Sequence, residues 1–486
     1  MKINFIGILN ILSVLLFVNA ALMALCIPFS IYYLDGHLTD WIYSVVISLL
    51  LGLGLWLATY KHKDRQKIRK RDGYIIVTFS WFVMALSGAI PYMITGSIPN
   101  FTDAFFESIS GFTTTGASIL DNIEELPQSI LFWRSLTQWV GGLGFIVLVI
   151  SILPSLGIGG MQLFMAEAPG ITADKLKPRI QDTSKRLWFL YIVLTGAETL
   201  LLVFGDMNFF DAINHSLTTM STGGFSTKQA SIAHYNSSYI EYVITAFMFM
   251  GGTNFVLLYL TFKGQFKKLI QNGEFKAYLG ITLGATILVT TVLIVGSDMP
   301  FSIAFRESIF QVVSILTTTG YASSDFTTWG GSVSLIFFTL MFIGACAGST
   351  AGGVKIVRHL VIAKNSIIEF RRQLHPSAII PVRINGKAVA HEVTRNIMAF
   401  VIIYITIFGV SSVVLSLMGM DAITAMGSVA TSLGNVGPGL NETGPSYSYS
   451  QVPTSAKWVL STIMVIGRLE IFTVIIIFTR YFWRSA

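Results

Sequence analysis

The sequence predicts an all-α polytopic membrane protein, in which four tandem membrane–pore–membrane repeats surround one pore and an N-terminal two-helix hairpin precedes them. Three observations lead to this fold class. Hydrophobic residues make up 53% of the 486 residues and charged residues only 12%, whereas a soluble domain carries roughly 25% charge. Apolar runs of membrane-spanning length recur along the chain. A Gly/Thr-rich stretch recurs four times between them.

The apolar runs define the order of the predicted elements, because a helix needs about 20 apolar residues to cross roughly 30 Å of hydrocarbon. Ten runs come close to that length, at residues 8–33, 41–60, 73–95, 131–155, 187–205, 239–262, 278–297, 331–362, 396–418 and 456–481. They divide the chain into the hairpin and four repeats. The predicted boundaries are 1–70 for the hairpin and 71–165, 166–270, 271–392 and 393–486 for the repeats.

The positions of the charges predict how the chain is oriented. Alternate segments between the runs hold 26 of the 32 Lys and Arg residues, namely 61–72, 173–186, 263–276, 355–395 and 480–484. The other segments hold 14 of the 25 acidic residues and, among the basic ones, only Lys228 and Arg306. By the positive-inside rule the basic segments and both termini are cytoplasmic. The net charge of +7 therefore reflects topology and contact with membrane lipid, and we predict no nucleic-acid partner.

The sequence has no arrangement typical of an enzyme or of a cofactor site. Cys26 and Cys346 lie in different apolar runs, and the seven histidines are scattered, so neither residue type suggests a metal site or a disulfide framework. The fragment 157–160 resembles part of a phosphate-binding loop, but a plain turn at the end of a span explains it. We predict that this chain is not an enzyme and holds no cofactor. A regulatory nucleotide would have to bind to another chain.

A related stretch of seven residues recurs in four of the predicted external segments. Aligned on its last glycine, each copy has Ser or Thr six residues earlier, a large apolar residue four residues earlier, and Thr or Asn two residues earlier. The copies, called segments 1 to 4 below, are Ser110–Gly116, Thr218–Gly224, Ser314–Gly320 and Thr431–Gly437. Each lies between a run that enters from the cytoplasm and a run that returns to it, so all four share one orientation.

Each segment is predicted to follow a short helix of roughly eight to ten residues that descends part-way into the membrane. Asp103, Asp211 and Glu307 lie thirteen residues before the final glycine, where a carboxylate suits the first turn of a helix. In segment 4 the acid lies sixteen residues before Gly437. Ending that segment on Gly434 would restore the spacing of thirteen but lose the matches upstream. We therefore prefer Gly437 and keep Gly434 as the alternative register.

The Gly/Thr segments suit a site for a dehydrated monovalent cation, because four extended strands around one axis supply backbone carbonyls that replace its hydration shell. Glycine permits backbone angles closed to other residues. Residues 318–321, Thr-Thr-Gly-Tyr, resemble the Thr-Val-Gly-Tyr filter of potassium channels. Residues 435–437, Asn-Val-Gly, resemble the fourth filter segment of the Trk/Ktr/HKT potassium transporter superfamily. The extra hairpin and the chain length resemble its TrkH-type members.

This resemblance implies K⁺ permeation through a selectivity filter, a homodimer, and a cytoplasmic TrkA-like partner that binds nucleotides. It assigns K⁺ binding to residues Thr113, Thr114, Thr115, Gly116, Ser221, Thr222, Gly223, Gly224, Thr317, Thr318, Thr319, Gly320, Asn435, Val436 and Gly437. Segments 2 and 4 depart from the Thr-Thr-Gly pattern. The departures suggest looser selectivity than that of a symmetric potassium channel.

The apolar run 331–362 contains ten small residues in succession, which are predicted to break its helix. They are Gly344, Ala345, Cys346, Ala347, Gly348, Ser349, Thr350, Ala351, Gly352 and Gly353. Four glycines cost a helix about 4 kcal/mol relative to alanine. Three of them recur at four-residue spacing, which would also suit a close helix-packing seam. The resemblance instead implies a gate loop inside the membrane, below the filter.

Arg468 is a second gate candidate, because it lies mid-way along the last apolar run. A charged side chain there costs roughly 2.5–3.5 kcal/mol or more unless it faces a water-filled interior. Glu470 lies on a different helix face. Arg468 therefore either pairs with an acid on another span, such as Glu198, or lies on the pore axis and repels cations. The resemblance also implies an arginine in this span.

The predicted function is K⁺ uptake through a gated, filter-containing pore in the bacterial inner membrane. The alternative is a secondary transporter that couples K⁺ to Na⁺ or H⁺, although many such proteins have inverted repeats. The cytoplasmic partner is predicted to dock on basic residues that follow the small-residue break, unless these residues serve only lipid contact and topology. They are Lys355, Arg358, Lys364, Arg371 and Arg372.

Overall fold

The computed structural model describes residues 3–60, 69–142, 144, 180–375, 377–378 and 380–484. Its regular structure is almost entirely helical. The helices of the first half are α1 Phe5–Ala24, α2 Ile27–Tyr33, α3 Leu38–Tyr60, α4 Lys70–Gly88, α5 Ile90–Ile94, α6 Phe101–Phe112, α7 Gln128–Gly142, α8 Ile180–Phe204, α9 Phe209–Met220, α10 Ser238–Gly251, α11 Phe255–Phe262 and α12 Phe266–Gln271.

The second half begins with α13 Gly273–Ser297 and has the same helical character. It continues with α14 Phe301–Leu316, α15 Gly331–Met341, α16 Ile356–Leu374, α17 His391–Leu417, α18 Ala422–Gly434, α19 Thr454–Arg468, α20 Phe472–Ile475 and α21 Arg480–Trp483. A two-stranded antiparallel hairpin, Arg383–Ile384 with Lys387–Ala388, connects α16 to α17. This composition confirms the predicted all-α class.

Six helical stretches in the described part of the chain are long and apolar enough to cross a membrane. They are Phe5–Tyr33, Leu38–Tyr60, Arg71–Ile94, Lys185–Phe204, Gly273–Ser297 and His391–Leu417. They confirm six of the ten predicted runs. The run 131–155 leaves the described residues after α7. Residues 61–68 and 173–179 of the basic segments, the fragment 157–160 and the predicted boundary between repeats 1 and 2 also lie outside the described residues.

Two of the other predicted runs each form two helices with a sharp bend between them. The run 239–262 forms α10 and α11, which are bent by 109° at the break between them. The run 456–481 forms α19 and α20 with the 3₁₀ turn that follows, bent by 111°. Hydropathy measures composition along a window, so it did not reveal that the backbone turns at Gly251-Gly252 and after Arg468.

Four short helices, α6, α9, α14 and α18, each follow a long helix, and the last residues of each helix are the first residues of one of the four segments. Each packs against the long helix before it, and α6 and α18 both pack on α19. The largest buried core joins the N-terminal hairpin to α4, α6, α7 and the fourth repeat. This packing holds the ends of the short helices, and with them the segments, at the centre of the protein.

Candidate ion filter and pore constriction

The four short helices end where the Gly/Thr residues begin. They contain 12, 12, 16 and 13 residues, so the predicted length of eight to ten was too short. Asp103 and Asp211 lie in the first turn, and Asp421 caps its helix by accepting from the N–H groups of Ile423 and Thr424. The prediction for Glu307 was wrong. The helix begins after Pro300, so Glu307 lies in its second turn.

The same turn of the backbone closes each short helix. In each segment, the N–H of the sixth residue donates to the carbonyl of the first residue. This bond is typical of a helix end that contains a left-handed residue. These bonds run from Thr115 to Ser110 (2.9 Å), Gly223 to Thr218 (2.9 Å), Thr319 to Ser314 (2.9 Å) and Val436 to Thr431 (3.0 Å). The acceptors are the Ser and Thr residues that the sequence alignment matched.

Two positions in every segment have positive φ. The final glycines have φ of 82°, 77°, 81° and 95° at Gly116, Gly224, Gly320 and Gly437. Two residues earlier, Thr114, Thr222, Thr318 and Asn435 have φ of 52°, 53°, 59° and 54°. This conformation is unusual for a β-branched residue, so its recurrence at three threonines is a shared feature of the segments. It aligns Gly437 with the other glycines, whereas Gly434 ends α18.

The segments contact one another in a closed ring. A Cβ added to the final glycine of segment 1, 2 or 3 would overlap a carbonyl oxygen of the next segment. The pairs are Gly116 with Gly223, Gly224 with Thr319, and Gly320 with Val436. The ring closes where Gly437 approaches the Thr115 oxygen, at 2.9 Å from an ideal Cβ. Each segment therefore touches the next in chain order, and the fourth touches the first.

Backbone carbonyls are the available ligands in this ring. Within the part of the chain that the structure describes, no donor hydrogen-bonds to the carbonyl oxygens of Thr114, Thr222, Thr318 or Asn435. All four residues are at most 1% exposed. Buried carbonyls in native proteins are normally paired with a protein donor or with water. A ring of buried, unpaired carbonyls can coordinate a cation.

Side chains behind the ring hold the segments in place. Gln138 donates to the Gly223 oxygen (2.7 Å) and accepts from the Phe225 N–H (3.0 Å). Asn435 donates to the Thr115 hydroxyl of segment 1 (2.9 Å) and to the Met464 carbonyl (3.0 Å). The residue that breaks the threonine pattern thus connects segment 4 to segment 1.

A loop over residues 342–355 interrupts the third returning span, between α15 and α16. All ten predicted small residues lie in this loop, and Gly344, Gly348 and Gly353 have φ near 70°. The residues therefore do not form the helix that a packing seam requires. The loop binds the break of the second returning span, where Cys346 N–H donates to the Gly252 carbonyl (3.0 Å) and Phe255 N–H to the Gly348 carbonyl (3.0 Å).

The loop also touches three of the segments. Gly352 N–H donates to the hydroxyl of Thr318 in segment 3 (2.7 Å). The Thr350 hydroxyl donates to the carbonyl of Met220 in segment 2 (3.0 Å). A Cβ at Gly352 would overlap the carbonyl oxygen of Gly434 in segment 4. The small side chains are required here because the loop packs directly against the ring.

Arg468 lies at the end of α19, beside the loop, and not in the middle of a continuous helix. Its guanidinium donates to the carbonyls of Thr350 (2.8 Å), Gly141 (2.6 Å) and Gly142 (2.8 Å). It therefore joins the loop of the third repeat to the end of α7 in the first. Glu198 is not its ion-pair partner, since its oxygens have no hydrogen-bond partner among the described residues.

Comparisons with known proteins identify the family. The family model described as "TrkH: Cation transport protein" matches residues 39–484. The chain belongs to the TrkH family. The TrkH potassium uptake protein of Halomonas elongata is 39% identical over 98% of this chain and 99% of its own length. The corresponding Escherichia coli K12 protein is 37% identical over 99% and 100%. Both are named as parts of a Trk system for potassium uptake.

A solved structure supports the same assignment for this TrkH-family chain. The potassium transporter TrkH of Vibrio parahaemolyticus superposes with a TM-score of 0.88 and 35% sequence identity, over 99% of this chain and 100% of that one. These relatives are transport proteins, in agreement with the prediction that this chain is not an enzyme. The length and topology of the match confirm a multi-pass membrane protein.

Two of the basic residues predicted to receive a partner are buried in this TrkH-family fold. Lys355 and Arg358 are each 8% exposed. Lys355 donates to the Ala351 carbonyl, and Arg358 forms an ion pair with Glu470. Both residues are therefore engaged inside the protein and cannot form a docking surface. Lys364 and Arg371 are exposed, and Arg372 is partly buried.

Sequence reasoning missed the polar residues that surround segment 1. The guanidinium of Arg134 forms a buried ion pair with Glu107 (2.9 Å) and donates to the Ser226 carbonyl beside segment 2 (3.0 Å). Glu107 also accepts from the Ile119 N–H (3.0 Å). A signal existed, because an Arg in an apolar run marks a functional or paired position. Arg134 lies within the apolar run 131–155, as Arg468 lies within the last one.

Proposed function

We propose that this protein takes up K⁺ through a selectivity filter formed by segments 1 to 4, with a gate at the loop 342–355 and Arg468. The observation that carries the proposal is the closed ring in which every segment repeats the same two left-handed residues. The names of the relatives give the transported ion. The proposed filter residues are the fifteen that the sequence analysis selected.

The chemistry of the ring fits a monovalent cation better than a divalent one. Carbonyl dipoles replace the hydration shell of K⁺ without supplying a fixed negative charge. Each short helix adds the negative end of its dipole at the ring, because the segments follow the helix C-termini. Within the described residues, no group of three or more His, Cys, Asp and Glu side chains could hold a metal ion. The proposed K⁺ site is therefore built from the backbone oxygens of the ring.

The gate proposal rests on the contacts of Arg468 and the loop. The guanidinium brings a fixed positive charge against the backbone of both the loop and α7. A cation leaving the ring toward that side would meet the charge, and the loop packs directly against three segments. Movement of the loop would break the bond between Thr350 and Arg468 and allow the arginine to turn away. The two features would then open together.

The remaining parts of the proposal concern the location of the protein, its oligomeric state and its partner. We place the protein in the bacterial inner membrane with both termini in the cytoplasm, on the distribution of Lys and Arg along the sequence. We further propose a homodimer and a cytoplasmic, TrkA-like, nucleotide-binding partner. The basis for a partner is that the relatives are named as components of a Trk system. The exposed α16 surface around Arg371 is its proposed docking site.

Flux of ⁸⁶Rb⁺ into liposomes that contain the purified protein tests the function. Uptake should follow an imposed K⁺ gradient and should compete with K⁺ but weakly with Na⁺. The direction and size of the flux should depend on the K⁺ driving force alone. A flux that requires an H⁺ or Na⁺ gradient would favour the secondary transporter, and no flux at all from folded protein would contradict K⁺ conduction.

A further inference from the structure

Glu274 is a buried acid in the first turn of α13, where the predicted third repeat begins. The residue is 6% exposed. One of its side-chain oxygens accepts a hydrogen bond from the Ala347 N–H (2.6 Å). Ala347 is one of the small residues of the loop 342–355, so this bond fixes the loop to the start of α13.

The loop backbone at Ala347 is held from two sides. Its N–H donates to Glu274, and its carbonyl accepts from the side-chain amide of Asn254 (2.6 Å). Asn254 lies at the break of the second returning span, where it caps α11. Buried backbone groups are normally paired, so the loss of either partner favours a different position of the loop.

The tip of the two-stranded hairpin contacts the residue next to Glu274. Asn385 and Gly386 connect the two strands with φ of 50° and 77°, and an Asn-Gly pair with two positive φ angles is the preferred two-residue hairpin turn. The Asn385 side-chain oxygen accepts from the Gly273 N–H (2.6 Å). Gly273 is the first residue of α13, so its N–H has no partner within the helix. The turn therefore holds the start of α13 in place.

The hairpin is itself packed on α16 and α17. Val382 beside the first strand forms one buried apolar cluster with Val361 of α16 and Ile397 of α17. Lys364 of α16 donates to the carbonyl of Arg383 in the first strand (2.9 Å). A chain of contacts therefore leads from α16, through the hairpin turn and the start of α13, to Ala347 in the loop.

We propose that Glu274 is a positioning residue that holds the loop 342–355 against the ring through Ala347, and that the hairpin turn at Asn385 sets the position of Glu274. Glu274 touches no ion. Its effect on transport rests on the proposed gate function of the loop. The hold on the loop and the effect on K⁺ flux are therefore measured separately.

The reaction of Cys346 with N-ethylmaleimide reports the position of the loop without any transport. Cys346 directly precedes Ala347 and is 1% exposed, so it should react slowly while the loop is held. The sequence has one other cysteine, Cys26, and Cys26→Ala provides the parent background. The rate is followed by mass spectrometry on folded protein isolated by size-exclusion chromatography.

Glu274→Met should raise the rate of Cys346 modification about tenfold, as expected for the loss of one buried hydrogen bond. Glu274→Gln keeps an acceptor oxygen at the same position and should stay near the parent rate. Glu392→Met is the matched control, because Glu392 also lies in the first turn of a helix, α17, and is exposed. It should react like the parent.

Asn385→Gly tests the part of the hairpin turn. Glycine suits a residue with positive φ, so the turn is kept while the acceptor for Gly273 is lost. The rate of Cys346 modification should rise about threefold, because this bond is at the surface. The double variant with Glu274→Met should react no faster than Glu274→Met alone, since both changes act through the same contact. Independent, multiplicative effects would overturn the role of the turn.

Basal ⁸⁶Rb⁺ flux per folded molecule in liposomes should rise in the same order as the rate of Cys346 modification. Faster modification with unchanged flux would support the hold of Glu274 on the loop and count against the loop as the gate. A parent-like modification rate in Glu274→Met would overturn the proposal, and so would equal rates in Glu274→Gln and Glu274→Met. If Glu274→Met fails to fold, Asn385→Gly decides, and a parent-like rate there would overturn the proposal.

Discussion

The ring of four segments differs in kind from the layer that packs against it, which consists of the loop 342–355, Arg468 and the carbonyls that Arg468 binds. In the ring, each repeat supplies the same backbone turn, with the same two left-handed residues. In the layer beneath, the third repeat contributes a loop, the fourth contributes Arg468, and the first contributes the carbonyls that Arg468 binds. Ion coordination by carbonyls needs only backbone geometry, so the repeats can stay alike. The proposed gate depends on particular side chains, so there the predicted repeats diverge.

The largest expected effect comes from disturbing the ring at one glycine. Gly320→Ser adds a Cβ that overlaps the Val436 oxygen at a residue with φ of 81°. A left-handed conformation costs a non-glycine residue about 1–2 kcal/mol. The K⁺/Na⁺ permeability ratio should therefore fall by about thirtyfold, which corresponds to ~2 kcal/mol.

Gly434→Ser is the matched control for this experiment. Gly434 lies outside the left-handed region, and an added Cβ would be 3.0 Å from its nearest neighbour, the Met341 oxygen. The variant should keep most of the selectivity. If Gly434→Ser changes the permeability ratio and Gly437→Ser does not, the alternative register of segment 4 is correct and the ring does not end at Gly437.

The layer beneath the ring should respond in the opposite direction. Arg468→Ala removes the positive charge beside the path, so basal ⁸⁶Rb⁺ flux without any partner should rise. About tenfold is expected if the barrier falls by ~1.4 kcal/mol. Deletion of residues 346–351 should also raise basal flux. Both fluxes are normalised to folded protein, measured by size-exclusion chromatography.

A structural role for Arg468 makes the reverse prediction. Its three carbonyl acceptors would lose their donor, and the cost of unpaired buried groups would lower the yield of folded protein. Lower flux per folded molecule in Arg468→Ala would assign the residue to packing. The loop would then be the only gate candidate.

The smallest effect is expected at the proposed docking surface on α16. Neutralising Arg371 and Arg372 with Gln should weaken binding of a TrkA-like partner about fivefold at low salt, since an ion pair near the surface contributes about 0.5 kcal/mol. Basal flux should not change. Lys263→Gln with Lys267→Gln gives the same change in charge elsewhere. Equal partner binding by all three proteins, measured by surface plasmon resonance, would remove the docking site.

The ring was predictable from the sequence because its requirements are local. The turn requires glycine at a position with positive φ, and each segment has Ser or Thr at the helix end. This residue pattern identified all four segments in the sequence. The breaks at Gly251-Gly252 and after Arg468 were missed because hydropathy does not report backbone direction. Asn254, which caps α11 by accepting from the N–H groups of Val256 and Leu257, was a usable signal of the first break.

The contacts of the charged residues could not be predicted, because their partners are distant in sequence. Arg468 binds Gly141, more than 300 positions away, and Lys457 pairs with Asp103 (2.7 Å). Arg358 pairs with Glu470, 112 positions away. A basic cluster next to a membrane span looks the same in the sequence whether it faces a partner or the protein interior.

The position of a bound ion tests the central claim most directly. A crystal structure of the protein in RbCl, with anomalous scattering measured at the rubidium edge, would locate the permeant cation. We predict a peak inside the ring, among the carbonyl oxygens of Thr114, Thr222, Thr318 and Asn435. In protein from the same preparation that transports ⁸⁶Rb⁺, a ring without a peak and a strong peak elsewhere along the chain would contradict the assignment of the filter to these four segments.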